Sequence, residues 1–222
     1  MQKTDEIIKK DVVDQLFWDD RVDASNIKVD VSKGAVTLSG NVPNHNALRS
    51  ALEDTFALRE VRSIVNNLIV EYPGSQSLPT DYNLRTNIEG ILLLNSSIDS
   101  SEIDVNVQDR VATLEGSVDS YWKKLKAEEL TFDVTGIMGV NNLLSVVPSQ
   151  DVLDKTIAED IIKAFNRNVF IDVNDVDVQV EDGMVTLFGT VQDWSAQQAA
   201  LNIAKYTSGV RDVKNDLTIA SE

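Results

Sequence analysis

Few side chains in this 222-residue sequence have the type and spacing that catalysis needs. The chain has no cysteine and a single histidine, His45, so thiolate nucleophiles and cysteine-based zinc sites are excluded. A serine nucleophile would need a carboxylate and a histidine beside it, and the sequence has no G-x-S-x-G motif. We therefore predict that the protein has no catalytic residues and is not an enzyme. We interpret His45 as a ring that covers the start of a helix.

Acidic residues near the C-terminus raise the question of a metal site. Five of them lie close together: Asp172, Asp175, Asp177, Glu181 and Asp182. Their order does not match the ligand order of an EF-hand calcium loop. They also alternate with valines, as side chains do on a strand with one exposed face. The pattern predicts an exposed strand face, with no metal site and no cofactor.

Two segments combine aromatic rings with lysines. The candidate lipid- or partner-binding residues are Tyr121, Trp122, Lys123, Lys124 and Lys126 in the denser segment, and Phe17 and Trp18 in the other. Aromatic rings and cations together suit contact with a phospholipid surface. The alternative for the first segment is a solvated helix face with Trp122 packed on a neighbouring domain. The alternative for the second is the end of an amphipathic helix that closes its own core.

The overall charge limits the partners of the chain. Twenty basic and 36 acidic residues give a formal net charge of −16, which repels nucleic acid at long range. The N-terminal residues lack the basic and apolar pattern of a secretory signal. We therefore expect no nucleic-acid partner and a cytoplasmic location as the sequence stands, or a periplasmic one if a signal peptide was removed. Oligomeric state cannot be read from the composition.

An internal repeat organises the chain. Three runs of the form [V/A]-T-L-x-G end at Gly40, Gly116 and Gly189, at offsets of 76 and 73 residues. The same offsets align the alternating apolar residues of the predicted strands, and no gap is needed inside any copy. Residues rich in proline, glycine and serine join the copies and are typical of linkers. We predict three domains, at residues 1–72, 78–148 and 151–222.

Each copy has the same predicted order of elements. Apolar residues at helical spacing follow Asp5, Asp81 and Asp154, which suit a helix cap or first turn. A β-hairpin follows, whose second strand contains the repeated glycine, and a second helix then begins after Asn44, Ser120 and Asp193. A third strand ends the copy. The predicted fold class is α+β: three tandem α-β-β-α-β domains, each a three-stranded mixed sheet with two helices on one face.

These motifs resemble those of the BON domain, a bacterial family associated with osmotic stress and transport. The I-x-V-x-V strand, the V-x-L-x-G strand and the closing G-V-x-x-V-x-N-x-L-x-V segment are all found, the last at residues 209–219. The second copy departs from the pattern with Ala112 and Arg110, where valine and a turn glycine are typical. The glycines Gly40, Gly116 and Gly189 are interpreted as structural.

The resemblance implies a non-enzymatic, stress-associated protein that binds a phospholipid membrane surface or envelope components. Two other hypotheses remain open. One is a protein-interaction or chaperone-like scaffold, which the acidic surface would keep in solution. The other is a small-ligand or cation binder, in which the acidic field concentrates cations.

Overall fold

The computed structural model describes residues 4–58, 60–72 and 79–220. The first copy comprises α1 (Asp5–Trp18), β1 (Ile27–Ser32), β2 (Ala35–Val42), α2 (His45–Phe56) and β3 (Ser63–Val70). The second comprises α3 (Asp81–Leu94), β4 (Ile103–Gln108), β5 (Val111–Val118), α4 (Tyr121–Phe132), β6 (Gly139–Asn142) and β7 (Ser145–Val146). The third comprises α5 (Asp154–Phe165), β8 (Val176–Glu181), β9 (Met184–Val191), α6 (Trp194–Tyr206) and β10 (Asp212–Ile219).

The α-β-β-α-β order and the mixed sheet are confirmed in every copy. The second strand of each hairpin lies in the middle of its sheet, antiparallel to the first strand and parallel to the third. In the second copy the third strand is divided into β6 and β7, which keep one register against β5. Both helices of a copy pack on the same apolar sheet face, as in the core of Val12, Leu16, Leu38 and Ala51.

The three copies are divided between two compact units. The first copy belongs to one compact unit, while Pro79–Ala220, which contains copies two and three, forms a second unit. Residues 73–78, in the middle of the linker predicted at residues 72–80, lie outside the described residues, as do the predicted domain bounds at residues 1, 78 and 222. Within the described ranges, no helix has the length and apolar character needed to cross a membrane.

A conserved geometry links the start of each copy to its hairpin turn. The carboxylate of Asp5, in the first turn of α1, accepts hydrogen bonds from the backbone amides of Lys33 and Gly34, at 2.8 and 3.1 Å. The same pair of bonds is made in the other copies by Asp81 to Asp109 and Arg110, and by Asp154 to Asp182 and Gly183. The helix dipole favours a carboxylate at this position, and the turn amides then gain a charged acceptor. Each carboxylate therefore joins the first helix to the hairpin.

The repeated glycine allows a close approach between backbone segments. Gly116 has φ +114°, and a Cβ atom there would lie 2.0 Å from the carbonyl oxygen of Glu102, which precedes β4. The corresponding distances are 1.9 Å at Gly40 and 2.1 Å at Gly189. No side chain fits at such a distance, and the positive φ also favours glycine. The three glycines thus allow the first residue of each hairpin to lie against the central strand.

We expect Gly116→Ala to lower the free energy of unfolding of the Pro79–Ala220 unit by more than about 3 kcal/mol, because the backbone must move to admit the methyl group. Urea unfolding of the full chain measures this loss. Gly90→Ala is the matched control, because Gly90 lies in α3 with nothing within 4 Å of its Cβ position. Alanine there should raise stability by about 1 kcal/mol. Equal effects at the two positions would contradict the role of Gly116 in the close approach of the two backbone segments.

The turn of the second hairpin contains a residue in an unfavourable conformation. Arg110 has φ +65°, where Gly34 and Gly183 occupy the equivalent positions in the other copies. An L-residue in the left-handed region costs about 1–2 kcal/mol. We therefore expect Arg110→Gly to raise the free energy of unfolding of the second unit, measured by urea unfolding, by about 1 kcal/mol after the greater entropy of the unfolded glycine is subtracted. Gly183→Ala should change stability in the opposite direction. A loss of stability in Arg110→Gly would show that the arginine side chain has a compensating contact.

Candidate functional site

The denser aromatic and basic segment forms the first two turns of α4. Ser120 is the N-cap of this helix, although its side chain bonds the carboxylate of Asp119 rather than a helix amide. At the equivalent positions Asn44 and Asp193 do cap their helices, accepting hydrogen bonds from Ala47 and Ala196. The helix thus begins where the sequence predicts, and its first residue is Tyr121.

Tyr121 lies between the second and third copies. Its side chain is only 9% exposed and belongs to the apolar core of the third copy, together with residues such as Ile157 and Leu201. Leu125, one turn further along α4, and Val146, in β7, pack against the same core. Val146 also packs against the core of its own copy. The two cores are therefore joined through this contact.

The hydroxyl group of Tyr121 lies near the start of the last strand of the third copy. Asp212, at the start of β10, is close enough to affect the ionisation of this hydroxyl, and the Asp212 carboxylate accepts a hydrogen bond from the backbone amide of Val213 at 2.8 Å. Burial raises the pKa of Tyr121 to about 12, and the negative charge of Asp212 contributes to the increase. The folded protein thus favours the neutral phenol at this contact.

The lysines of the same segment are engaged in local pairs. Lys123 lies 2.8 Å from a carboxylate oxygen of Asp119 and 5.8 Å from the ring centre of Trp122. Lys126 lies 3.0 Å from a carboxylate oxygen of Glu129. Trp122, Lys123, Lys124 and Lys126 are all partly buried. The basic charge of α4 is therefore largely balanced by its own acidic neighbours.

The second predicted segment has the opposite character. Phe17 and Trp18, the last two residues of α1, are 74% and 81% exposed, and their rings meet edge to face with centroids 5.9 Å apart. The helix closes its core with Leu16, which is buried, so these rings are not needed for that purpose. Lys9 and Lys10 are paired with Asp30 and Asp14. The structure therefore presents an exposed aromatic pair, which we call the aromatic tip.

Apolar pairs are also exposed near the same place in the other copies. Leu93 and Leu94 at the end of α3 are 74% and 86% exposed, and Val169 and Phe170 after α5 are 91% and 59% exposed. Our sequence reasoning did not identify these residues. A signal was present, because in α3 the buried positions recur at helical spacing up to Leu92 and the next two leucines depart from it.

The remaining residues considered from the sequence are His45 and the acidic cluster near the C-terminus. His45 opens α2 and is partly buried. Asp172 in the acidic cluster accepts hydrogen bonds from the backbone and side-chain nitrogens of Asn174, which forms a local turn. In the part of the chain that the structure describes, no three acidic or histidine side chains are grouped so that they could hold a metal ion.

We expect Tyr121→Phe to lower the free energy of unfolding of the Pro79–Ala220 unit by about 1 kcal/mol at neutral pH, through loss of the polar interaction between the hydroxyl group and Asp212. The folded pKa lies above the unfolded value of about 10, so the folded state retains its proton longer and stability falls as pH rises from about 10 to 12. Urea unfolding at several pH values should show this alkaline loss in the wild type and not in Tyr121→Phe. Tyr82→Phe is the control, because Tyr82 lies in α3 of the same unit and its side chain is exposed. Identical curves for both variants would refute the role of Tyr121.

Comparison with known proteins places these features in a family. The BON domain profile matches residues 4–72, 80–148 and 153–221. Osmotically-inducible protein Y of Escherichia coli (strain K12) is 29% identical over 152 residues, which cover 62% of this chain and 71% of that protein. The match is to domains that are generally non-catalytic, and it indicates no enzyme family.

Two solved structures of secretion-system proteins also match at low similarity. CdsD, a structural protein of the type III secretion system of Chlamydia trachomatis, is 16% identical over 97% of this chain and 91% of its own, with a TM-score of 0.27. The periplasmic domain of PrgH, from S. typhimurium, is 11% identical over 89% of this chain and 96% of its own, with a TM-score of 0.23. These scores support no inference about this protein. The three profile matches, in contrast, span nearly the whole sequence, and the chain belongs to the BON-domain family as a protein of three tandem BON domains.

Proposed function

We propose that this protein is a non-catalytic binding protein that contacts the surface of phospholipid membranes through the aromatic tip, Phe17 and Trp18. The high exposure of these two rings is the observation that carries the proposal. A large apolar side chain left in water forfeits about 1.5–3 kcal/mol relative to burial. The tip therefore has a substantial free energy to gain from an apolar environment.

The chemistry of the tip suits the interfacial zone of a bilayer. Tryptophan favours this zone, because its ring can enter the acyl boundary while its N–H group remains among water and headgroups. Helix α1 ends at Trp18, and the two residues that follow it, Asp19 and Asp20, are acidic. The tip thus combines two aromatic rings that can enter the bilayer with two acidic residues that remain in water.

Electrostatics favour insertion over attraction by charge. The net charge of −16 opposes approach to an anionic bilayer. The lysines of α4 do not offset this repulsion, since Lys123 and Lys126 are paired with carboxylates. Zwitterionic vesicles are therefore the preferred surface, and added salt should leave binding unchanged or strengthen it by screening the repulsion.

The name of the relative, osmotically-inducible protein Y, supports a role under osmotic stress. We include this role in the proposal, with membrane surface or envelope components as the partner. Expression of the protein under raised osmolarity is the corresponding observation to seek.

A protein-interaction scaffold is the second candidate. The exposed aliphatic side chains of Leu93, Leu94 and Val169 favour it, because they lack the polar group that makes tryptophan suitable for a bilayer interface. Such side chains could instead hold apolar segments of other proteins. This reading predicts salt-insensitive binding to protein and no affinity for vesicles.

We expect Phe17→Ser/Trp18→Ser to reduce vesicle binding by at least about tenfold, because the burial of one of these rings is worth more than 1.4 kcal/mol. Co-sedimentation with zwitterionic and with anionic vesicles, at low and high salt, measures the loss. Leu93→Ser/Leu94→Ser is the matched control, since it removes an equally exposed pair from another copy. Both variants should keep the circular dichroism of the wild type.

Other outcomes assign the function differently. Absence of wild-type binding to every vesicle would eliminate the membrane proposal and leave the scaffold. Salt-sensitive binding to anionic vesicles that Lys123→Glu/Lys124→Glu abolishes would place the contact on α4 instead of the aromatic tip. An equal loss in the Leu93→Ser/Leu94→Ser control would show that the contact extends over several copies.

A further inference from the structure

Asp54 is a buried carboxyl group in the first copy. It lies in α2 and is 8% exposed, and it is the one charged side chain among the buried residues of the described ranges. The repeat offsets align it with Leu130 and Ile203, which pack against the cores of their own copies. The first copy therefore has a carboxyl group where the other two have hydrocarbon.

The surroundings of Asp54 do not satisfy a carboxylate. One oxygen accepts a hydrogen bond from Nε2 of Gln15, in α1, at 3.3 Å. The other oxygen, Oδ2, is buried without a hydrogen-bond partner. Removing a charged carboxylate from water with one long hydrogen bond is unfavourable, because the lost hydration is not replaced.

The nearest cation is already engaged. Arg21 donates to both carboxylate oxygens of Asp19, with Nε at 3.0 Å from each and Nη2 at 2.6 Å from one. The backbone amide of Arg21 donates to Asp19 as well, at 2.8 Å. The carboxyl groups of Asp19 and Asp54 are also close enough for each to affect the pKa of the other. Asp54 therefore lies near the ionised carboxylate of Asp19. The hydrogen bonds of Arg21 go to Asp19 and not to Asp54.

We propose that Asp54 holds a proton in the folded first copy, shared with Asp19, and that its ionisation loosens the contact between α1 and α2. A protonated Asp54 can donate to Asp19, whereas an ionised one would place two negative charges side by side. The charged and polar groups near Asp54 are Gln15 in α1, Asp19 directly after α1, and Arg21 in the loop that follows. On its own helix, Glu53 acts on Arg21.

The expected pH dependence has a definite sign. Burial, and next the hydrogen bond with Asp19, raise the pKa of Asp54 above its ordinary value. The hydrogen bonds from Arg21 hold the pKa of Asp19 below its ordinary value. The folded state therefore binds the Asp54 proton more tightly than the unfolded state does, and the contribution of Asp54 to stability is lost as pH rises through the raised pKa.

Hydrogen exchange with mass spectrometry on the full chain tests the proposal directly. We expect the protection factors of α1 and α2 amides, corrected for the intrinsic pH dependence of exchange, to fall by about tenfold between about pH 5 and about pH 8 in the wild type. Asp54→Asn keeps the shape and can donate to Asp19 at every pH, so its protection should not change over this range. Amides of α3 and α4 provide the internal reference.

Two further variants separate ionisation from a general structural effect. Asp104→Asn, which changes an exposed carboxylate in β4, should behave as the wild type does. Asp54→Leu copies the second repeat and should give higher protection than the wild type at about pH 8. The same pH dependence in the wild type and in both Asp54 variants would overturn the proposal, as would protection that rises with pH. These results do not depend on whether vesicles bind.

Discussion

Each copy of this fold depends on one close approach between backbone segments. The central strand passes so near to the residue before the hairpin that a Cβ atom on the repeated glycine would lie about 2 Å from a carbonyl oxygen. This contact sets the position of the hairpin against the central strand, to which the third strand is paired in parallel. The helices then pack on the face that this sheet presents. A carboxylate in the first turn of the first helix holds the hairpin turn from the other end.

The fold could be predicted from the sequence because the repeats reinforce one another. The gapless alignment of the three copies identifies the α-β-β-α-β order, even where a single copy departs from the pattern, as at Arg110. The exact role of Asp5 could not be predicted in this way. The sequence indicates a carboxylate at the helix start, but the hydrogen bonds to Lys33 and Gly34 cross 28 and 29 residues and depend on the folded geometry.

The candidate site was less predictable, because burial cannot be read from residue type. Tyr121 and Phe17 are both aromatic residues near lysines in the sequence, yet one is buried between two copies and the other is exposed. The difference arises from tertiary contacts: a neighbouring copy covers Tyr121, whereas Leu16 already completes the core beside Phe17. Asp54 was missed for the same reason, since an aspartate in a helix is usually exposed.

The contact made by Tyr121 has a consequence for how such chains can evolve. Recombination at the junction between copies two and three would expose Tyr121, Leu125 and Val146 and would leave an apolar surface on each product. Recombination before Pro79 leaves the second compact unit intact. Copies two and three are therefore expected to be inherited together, while the first copy can be gained, lost or exchanged as a separate module.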